Sequence, residues 1–215
     1  MKLKRARGIT GGLSQTSKMP CSSYSLPAIR CKTGSKLHVK DNTVCSQCYA
    51  RKGMYRFGRV QKAQQRRLDS LNDPLWVEAM AALLANQRFF RWHDSGDIQS
   101  VKHLHNIVAV CEETPYTTHW LPTKEISLVK AYVKKYGITD NLIIRLSAPM
   151  IDSKRLKQPN HDQVKTCRSL SKDGITNETL VNTSHICPAS QNDGECGDCR
   201  ACWLTNVEDV IYPMH

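Results

Sequence analysis

Four cysteines near the carboxyl end, Cys187, Cys196, Cys199 and Cys202, follow the pattern C-P-x7-C-x2-C-x2-C. Three cysteines at successive spacings of three, with a fourth nearby, bring several thiolates around one compact inorganic centre. An iron–sulfur cluster takes such an array, because each iron needs a terminal thiolate and the irons sit close together. A structural zinc usually takes two C-x2-C hooks separated by a longer loop. Here Cys199 would have to serve both hooks. The spacing leans towards iron–sulfur, with zinc as the alternative.

The chain has ten cysteines in 215 residues. No apolar run approaches the roughly 18 residues that span a bilayer, and no apolar segment follows the basic start Met1 to Arg7, so a secretory signal is not expected. These features place the chain in the cytoplasm, where disulfides do not persist and clustered cysteines read as metal ligands. Cys111, in the run Ile107 to Cys111, reads as a core thiol, and Cys167 is isolated. The other eight fall near the two ends. The amino-terminal group is Cys31-x13-Cys45-x2-Cys48, with Cys21 ten residues earlier. Its C-x2-C hook lacks the strand before it that a thioredoxin-like dithiol would have, so metal ligation by Cys31, Cys45 and Cys48 is the better reading.

The formal net charge is +12 with a pI near 9.3. A basic surface suits nucleic acid or another polyanion, but the Lys and Arg residues are spread out and alternate with no aromatic series. Charge alone specifies no mode of contact.

Residues 1–50 are rich in Gly, Ser, Thr and Pro and read as loops. Helical patterns cover Arg56 to Leu71 and Leu75 to Gln87, with Asp73 and Pro74 as the start signal of the second. Strands are expected at Phe89–His93, Thr117–Leu121, Asn141–Leu146 and Thr179–Thr183, with helices at Val101–Cys111 and Ile126–Lys135. Alternating strand and helix is the signature of parallel βαβ units. The fold class is therefore α/β: a partial (β/α) barrel or an open parallel sheet, with cysteine-rich, loop-like metal-binding segments at both ends. One domain spans 1–215, made of a cysteine-containing segment (1–54), a βα core (55–184) and a cysteine-rich tail (185–215).

Chemistry in such sheets gathers at the carboxyl ends of the strands. This chain places His93, Asp94 and Asp97 after one strand, Thr123, Lys124 and Glu125 after another, and Ser147 after a third. His93, Asp94, Asp97, Lys124 and Arg145 are candidate catalytic groups, against the plainer roles of helix caps, turns and structural pairing. Thr123 and Ser147 are candidate cofactor contacts. Arg145, inside an otherwise apolar strand, needs an anionic partner: a carboxylate substrate, a cluster sulfide or Asp97.

The runs Met19-Pro20-Cys21, Cys31-Lys32-Thr33-Gly34, Cys45-x-x-Cys48-Tyr49-Ala50-x-Lys52-Gly53-x-Tyr55, Arg91-Trp92-His93-Asp94-Ser95-Gly96-Asp97 and Trp120-Leu121-Pro122-Thr123-Lys124-Glu125 resemble the small phage protein family catalogued as gene product 88. That likeness covers nearly the whole chain and implies the cytoplasm of an infected host cell. More distantly, C-x2-C-Tyr-Ala, a strand ending in Ser-Gly-Asp and a strand ending in Thr-Lys resemble the phage branch of radical S-adenosylmethionine proteins. That likeness implies a partial barrel and a [4Fe–4S] cluster on three cysteines, although a compact C-x3-C-x2-C is absent here. The expectation is an iron–sulfur protein with one or two [4Fe–4S] clusters, doing electron transfer or redox or radical-type catalysis. Its partner would be an electron donor or a small-molecule substrate, with S-adenosylmethionine as a candidate cofactor. A single cluster drawing ligands from both ends is a competing arrangement. The other class of reading is a zinc-stabilised, basic nucleic-acid-binding protein.

Overall fold

A computed structural model describes residues 1–177, 179–180 and 183–214. The chain runs α1 (Leu3–Thr10), β1 (Ser14–Gln15), β2 (Ser22–Tyr24), α2 (Lys32–His38), α3 (Gly58–Ser70), α4 (Trp76–Leu84), β3 (Phe89–Trp92), α5 (Val101–Glu113), β4 (Thr118–Thr123), α6 (Ile126–Tyr136), β5 (Leu142–Ser147), β6 (Val164–Leu170), β7 (Ser184–Ile186) and β8 (Asp209–Pro213). The strands form one sheet in the order β1-β2-β3-β4-β5-β6-β8-β7. β1 runs antiparallel to β2, and the other pairings are parallel. The class is mixed α/β, as the alternating pattern predicts.

The two faces of the sheet bury different things, because successive strand residues point to opposite sides. On one face Phe90, Trp92, Leu121, Leu142, Ile144, Leu146 and Val164 share a core with α4 (Trp76, Met80, Leu84), α5 (Leu104, Ile107, Val108) and α6 (Val129, Tyr132, Val133). Each helix offers one apolar stripe at helical spacing, so it covers the sheet and leaves its charges in solvent. Cys111 sits fully buried in this layer. On the other face Phe89, Trp120, Cys167 and Val210 meet Cys21, Cys187, Cys199, Cys202 and Trp203. The cysteine-rich tail thus covers the face that the helices leave free.

Several elements differ from the sequence expectation. The segment read as loops, residues 1–50, holds α1, β1, β2 and α2. These are short, and β2 buries Ser22, Ser23 and Tyr24, a pattern without apolar periodicity. Strand β6 escapes the pattern because Lys165, Thr166 and Arg168 are buried. Their partners come from about forty residues on: Arg168 pairs with Asp209 at 2.8 Å, Lys165 with Glu208 at 2.5 Å, and Thr166 donates to Asp209 at 2.6 Å. The strand expected over Thr179–Thr183 lies at Ser184–Ile186 instead, and Val181 and Asn182 fall outside the described residues. Helix α4 starts a little later than expected, with Asp73 accepting from the Leu75 N–H at 2.8 Å.

Arg145 shows what holds the tail to the sheet. It is fully buried, and the anionic partner expected for it is replaced by backbone carbonyls. Its Nε donates to Cys202 O at 3.0 Å, and its two terminal nitrogens donate to Ala201, Leu204, Val207 and Thr166 at 2.7 to 3.3 Å. Five carbonyl dipoles stand in for a counter-ion. Arg145→Met would leave those carbonyls without their donor and should cost about 3–5 kcal/mol. A urea-denaturation series would show it as a large fall in midpoint, and limited proteolysis would show earlier cutting after residue 186.

Candidate metal centres

The strand ends form a dense polar network that grips the amino-terminal hook. After β3 the backbone turns sharply: His93 has φ 54° and Gly96 φ 84°. A Cβ on Gly96 would come within 2.5 Å of the Leu26 Cβ, so the close approach of the two segments requires glycine. Leu26 N–H donates to Ser95 O, and Ser95 Oγ donates to Leu26 O, both at 2.8 Å. The Asp94 carboxylate accepts from Ser23 Oγ at 2.5 Å and from Tyr55 OH at 2.9 Å, and the Asp94 carbonyl accepts from Tyr49 OH. Tyr49 follows Cys48 directly and Tyr55 lies seven residues after it, so Asp94 fixes the hook to the end of β3. Asp97 accepts from Thr123 Oγ1 at 2.5 Å and from the backbone N–H groups of Ile98 and Lys124 at 2.7 and 2.9 Å. Glu125 accepts from the Thr33 N–H at 2.9 Å, which docks the start of α2 on the end of β4.

Three thiols gather above this network. A Cβ built on Gly34 would lie 3.0 Å from the Cys31 Cβ, 3.5 Å from Cys45 Sγ and 3.7 Å from Cys31 Sγ, so the glycine lets the helix pass close to both cysteines. Burial pushes the Cys31 thiol up to about 12, with the charges of Asp97, Cys48 and Cys45 adding to it. Burial also raises Cys45, while Lys124 pulls the other way. Asp97 is held up to about 6 by burial, against the hydrogen bonds from Thr123, Lys124 and Ile98. A cleft of about 770 Å³ opens beside Cys31, lined by Ile29, Arg30, Lys32, Gln99 and His103 among others.

The two candidate catalytic groups His93 and Asp94 do not bond to each other. Asp94 spends its oxygens on Ser23 and Tyr55, and both ring nitrogens of His93 are buried without a hydrogen-bond partner. The His93 ring lies edge-on to His103 at 5.2 Å, and burial pushes it well below the ordinary imidazole range. Thr123 orients Asp97, and Ser147 contacts Cys167 Sγ at 3.2 Å.

The second thiol group lies on the opposite face of the sheet from the helices. Cys187, Cys196, Cys199 and Cys202 come together there, and Cys21 joins them instead of completing the hook. Cys199 Sγ lies 3.2 Å from His185 Nε2, and Cys202 Sγ 3.2 Å from Tyr212 OH. Burial pushes both Cys21 and Cys202 up to about 12. Two cations stand close by. Arg91 stacks over Trp120 at 4.4 Å and donates to Tyr49 OH at 3.3 Å, and Arg200 lies over Phe89 at 5.6 Å. Arg91, Arg200, Tyr212 and Cys21 carried no local sequence signal for this role, since only the sheet brings them to one place.

The cysteines whose charges act most strongly on one another belong to the same group, hook with hook and tail with tail. As they stand, no three Cys, His, Asp or Glu side chains among the described residues converge tightly enough to hold a single metal ion. The family model described as Gene product 88 matches residues 1–205. The chain belongs to the gene product 88 family. No curated protein matches the chain, and neither does any solved structure. Membership therefore carries no link to radical S-adenosylmethionine proteins. It does give the quoted runs a shared setting: in this gene product 88 protein, Asp94 joins the run around Cys48 to the run after β3, and Asp97 joins that run to the end of β4. No helix among the described residues is long and apolar enough to cross a membrane.

Buried titratable groups set a pH dependence. Burial holds His103 and His119 near 3, against 6.5 for a free imidazole. The unfolded chain takes up those protons first, so their contribution is complete above pH 6.5 and drains away towards 3. Asp97 acts oppositely between 3.8 and about 6, because its folded form keeps the proton longer. His93, also held well below the ordinary range by burial, acts in the same direction, so three histidines outweigh one carboxyl. The unfolding free energy of metal-stripped protein, read from urea titrations, should fall on going from pH 7 to 4.5 by at least about 2–4 kcal/mol, and the fall should be smaller in His119→Gln.

Proposed function

We propose that this gene product 88 protein is an iron–sulfur redox protein with two thiolate centres. The hook (Cys31, Cys45, Cys48) is the reactive one and the tail (Cys187, Cys196, Cys199, Cys202) the electron-transfer one. The observation that carries this reading is the convergence of two separate groups of half-buried thiols, one at the carboxyl ends of parallel strands beside a cleft. Eight clustered thiols exceed what one zinc takes. The donor set fits: soft sulfur ligands suit an iron–sulfur cluster, and Gly34 lets the helix pass close to two of them. A [4Fe–4S] cluster on three protein thiolates would supply one-electron chemistry and leave one iron for an outside ligand, S-adenosylmethionine being the candidate.

The chain's own residues would do the rest. Lys124 and Arg51 lie within electrostatic reach of the hook thiols and offset their negative charge. Asp97, held near 6, can carry or release a proton beside Cys31 and Cys45. The cleft bounded by Arg30, Lys32 and Gln99 would take a small polar substrate at the hook, with His103 kept neutral in its wall. The one-sided helix layer supports reading the sheet as a partial (β/α) barrel with the tail in its hollow.

Protein purified without oxygen should be brown and hold about eight iron and eight acid-labile sulfide per chain. Cys45→Ser with Cys48→Ser should remove about half of both. S-adenosylmethionine should perturb the EPR signal of the reduced protein only while the hook is intact. Colourless protein with stoichiometric zinc and no sulfide would overturn the proposal in favour of the zinc-stabilised nucleic-acid-binding reading. A separate variant tests the hook without deleting a ligand. Gly34→Ala puts a methyl beside two sulfurs, so it should lower hook iron severalfold. The helix-propensity gain of about 1 kcal/mol is set against crowding of the Cys31 Cβ at 3.0 Å, so metal-free stability should change by no more than about 1–2 kcal/mol.

A further inference from the structure

We propose that Cys21, just before β2, is a ligand of the tail centre, so that metal at the tail also fastens the start of the chain to its end. This rests on reading the tail as a thiolate metal centre. Cys21 is about nine-tenths buried, in the same cluster as Cys187, Cys199, Cys202 and Trp203. Its position is set by bonds that join segments far apart in sequence. The Cys196 N–H donates to Lys18 O at 3.0 Å, and Lys18 Nζ donates to Asp193 O at 2.6 Å. Gly194 makes room for that lysine, since a Cβ there would come within 2.8 Å of Nζ. Residues 18–21 are thus strapped along residues 193–196 before any metal is considered.

Burial keeps the Cys21 sulfur protonated in the metal-free chain, with Cys196 adding to that, while the Arg91 backbone amide and the Arg91 and Arg200 guanidinium groups are placed to support a thiolate once metal takes the proton's place. The corresponding feature at Cys187 is the Ala189 amide. Amide dipoles aimed at sulfur are the usual outer support of thiolate metal sites. None of the hook cysteines is among the groups that act most strongly on Cys21. With Cys21 the tail offers five sulfurs where a zinc or a cubane cluster takes four. In the metal-free chain Cys202 is partnered by Tyr212 OH and Cys21 by the Arg91 backbone amide.

The test compares Cys21→Ser, Cys199→Ser and, as a control for loss of a buried sulfur in the same cluster, Cys167→Ala, all in the full chain. Iron and zinc per chain are read with circular dichroism and with protease cutting in residues 1–20. Cys21→Ser and Cys199→Ser should each lose about half of the metal of the parent, and adding metal should slow cutting of residues 1–20 in the parent and in Cys167→Ala but not in Cys21→Ser. Metal lost in Cys199→Ser but kept in Cys21→Ser would overturn the assignment of Cys21 alone. Metal unchanged in Cys199→Ser would overturn the reading of the tail itself. An equal loss in Cys167→Ala would mean that packing, and not ligation, explains Cys21.

Discussion

A guanidinium with no counter-ion anchors this molecule. Arg145 stands in β5, an interior strand of the sheet, on the face away from the helices, and reaches five carbonyls. Burying a charge is costly unless dipoles replace the water it loses. Those dipoles are available only if residues 201–207 cross the sheet at this point. The cation therefore dictates the path of the tail, and the path then delivers Trp203 against Trp120 and leads into β8 beside β6. Trp203 also donates to the Phe90 carbonyl at 3.0 Å, which extends the clamp to β3. The tail thiols lie where they do because their neighbours in sequence are fastened to the sheet.

The other end of the chain is fastened by acceptors instead of a donor. Asp94 and Asp97 collect hydroxyls and amides from Ser23, Tyr49, Tyr55, Thr123, Ile98 and Lys124. Carboxylates with that many partners are largely committed to holding loops in place. Asp97 retains chemical interest because its proton affinity is displaced and because it lies within reach of Cys31 and Cys45. Asp94 is better described as a positioning residue for the hook.

The parts of the fold legible in sequence are those whose burial is apolar and local. Strands β3, β4 and β5, with the helices α5 and α6 between them, show alternation or helical spacing that no long-range partner is needed to explain. The parts that escaped are polar and non-local. β6 buries Lys165 and Arg168, which read as surface residues until Glu208 and Asp209 are seen opposite them. β2 buries serines that read as loop until Asp94 is found beside Ser23. The same division holds at the candidate sites. The cysteine groups were visible from spacing, whereas the company of Cys21 and the carbonyl cage of Arg145 depend on strand order. Isolated Cys167 proved to be a core residue of the tail face, beside Ser147.

Strand order also places the two thiol groups in different layers, one above the strand ends and one across the free face. Arg91 stands between them. Its guanidinium stacks on Trp120, donates to Tyr49 OH beside the hook, and lies within electrostatic reach of Cys21, Cys187, Cys196 and Cys202 in the tail. Its Nε is buried with no hydrogen-bond partner. A buried cation is tolerated where negative charge is close, and in the metal-free protein the raised thiols of Cys21 and Cys202 supply little of it. Arg91 is thus left with Tyr49, Asp94 and the aromatic face of Trp120. Under the proposal above, thiolates formed on metal binding would add to these surroundings, and Arg91 would be the cation shared by both thiol groups.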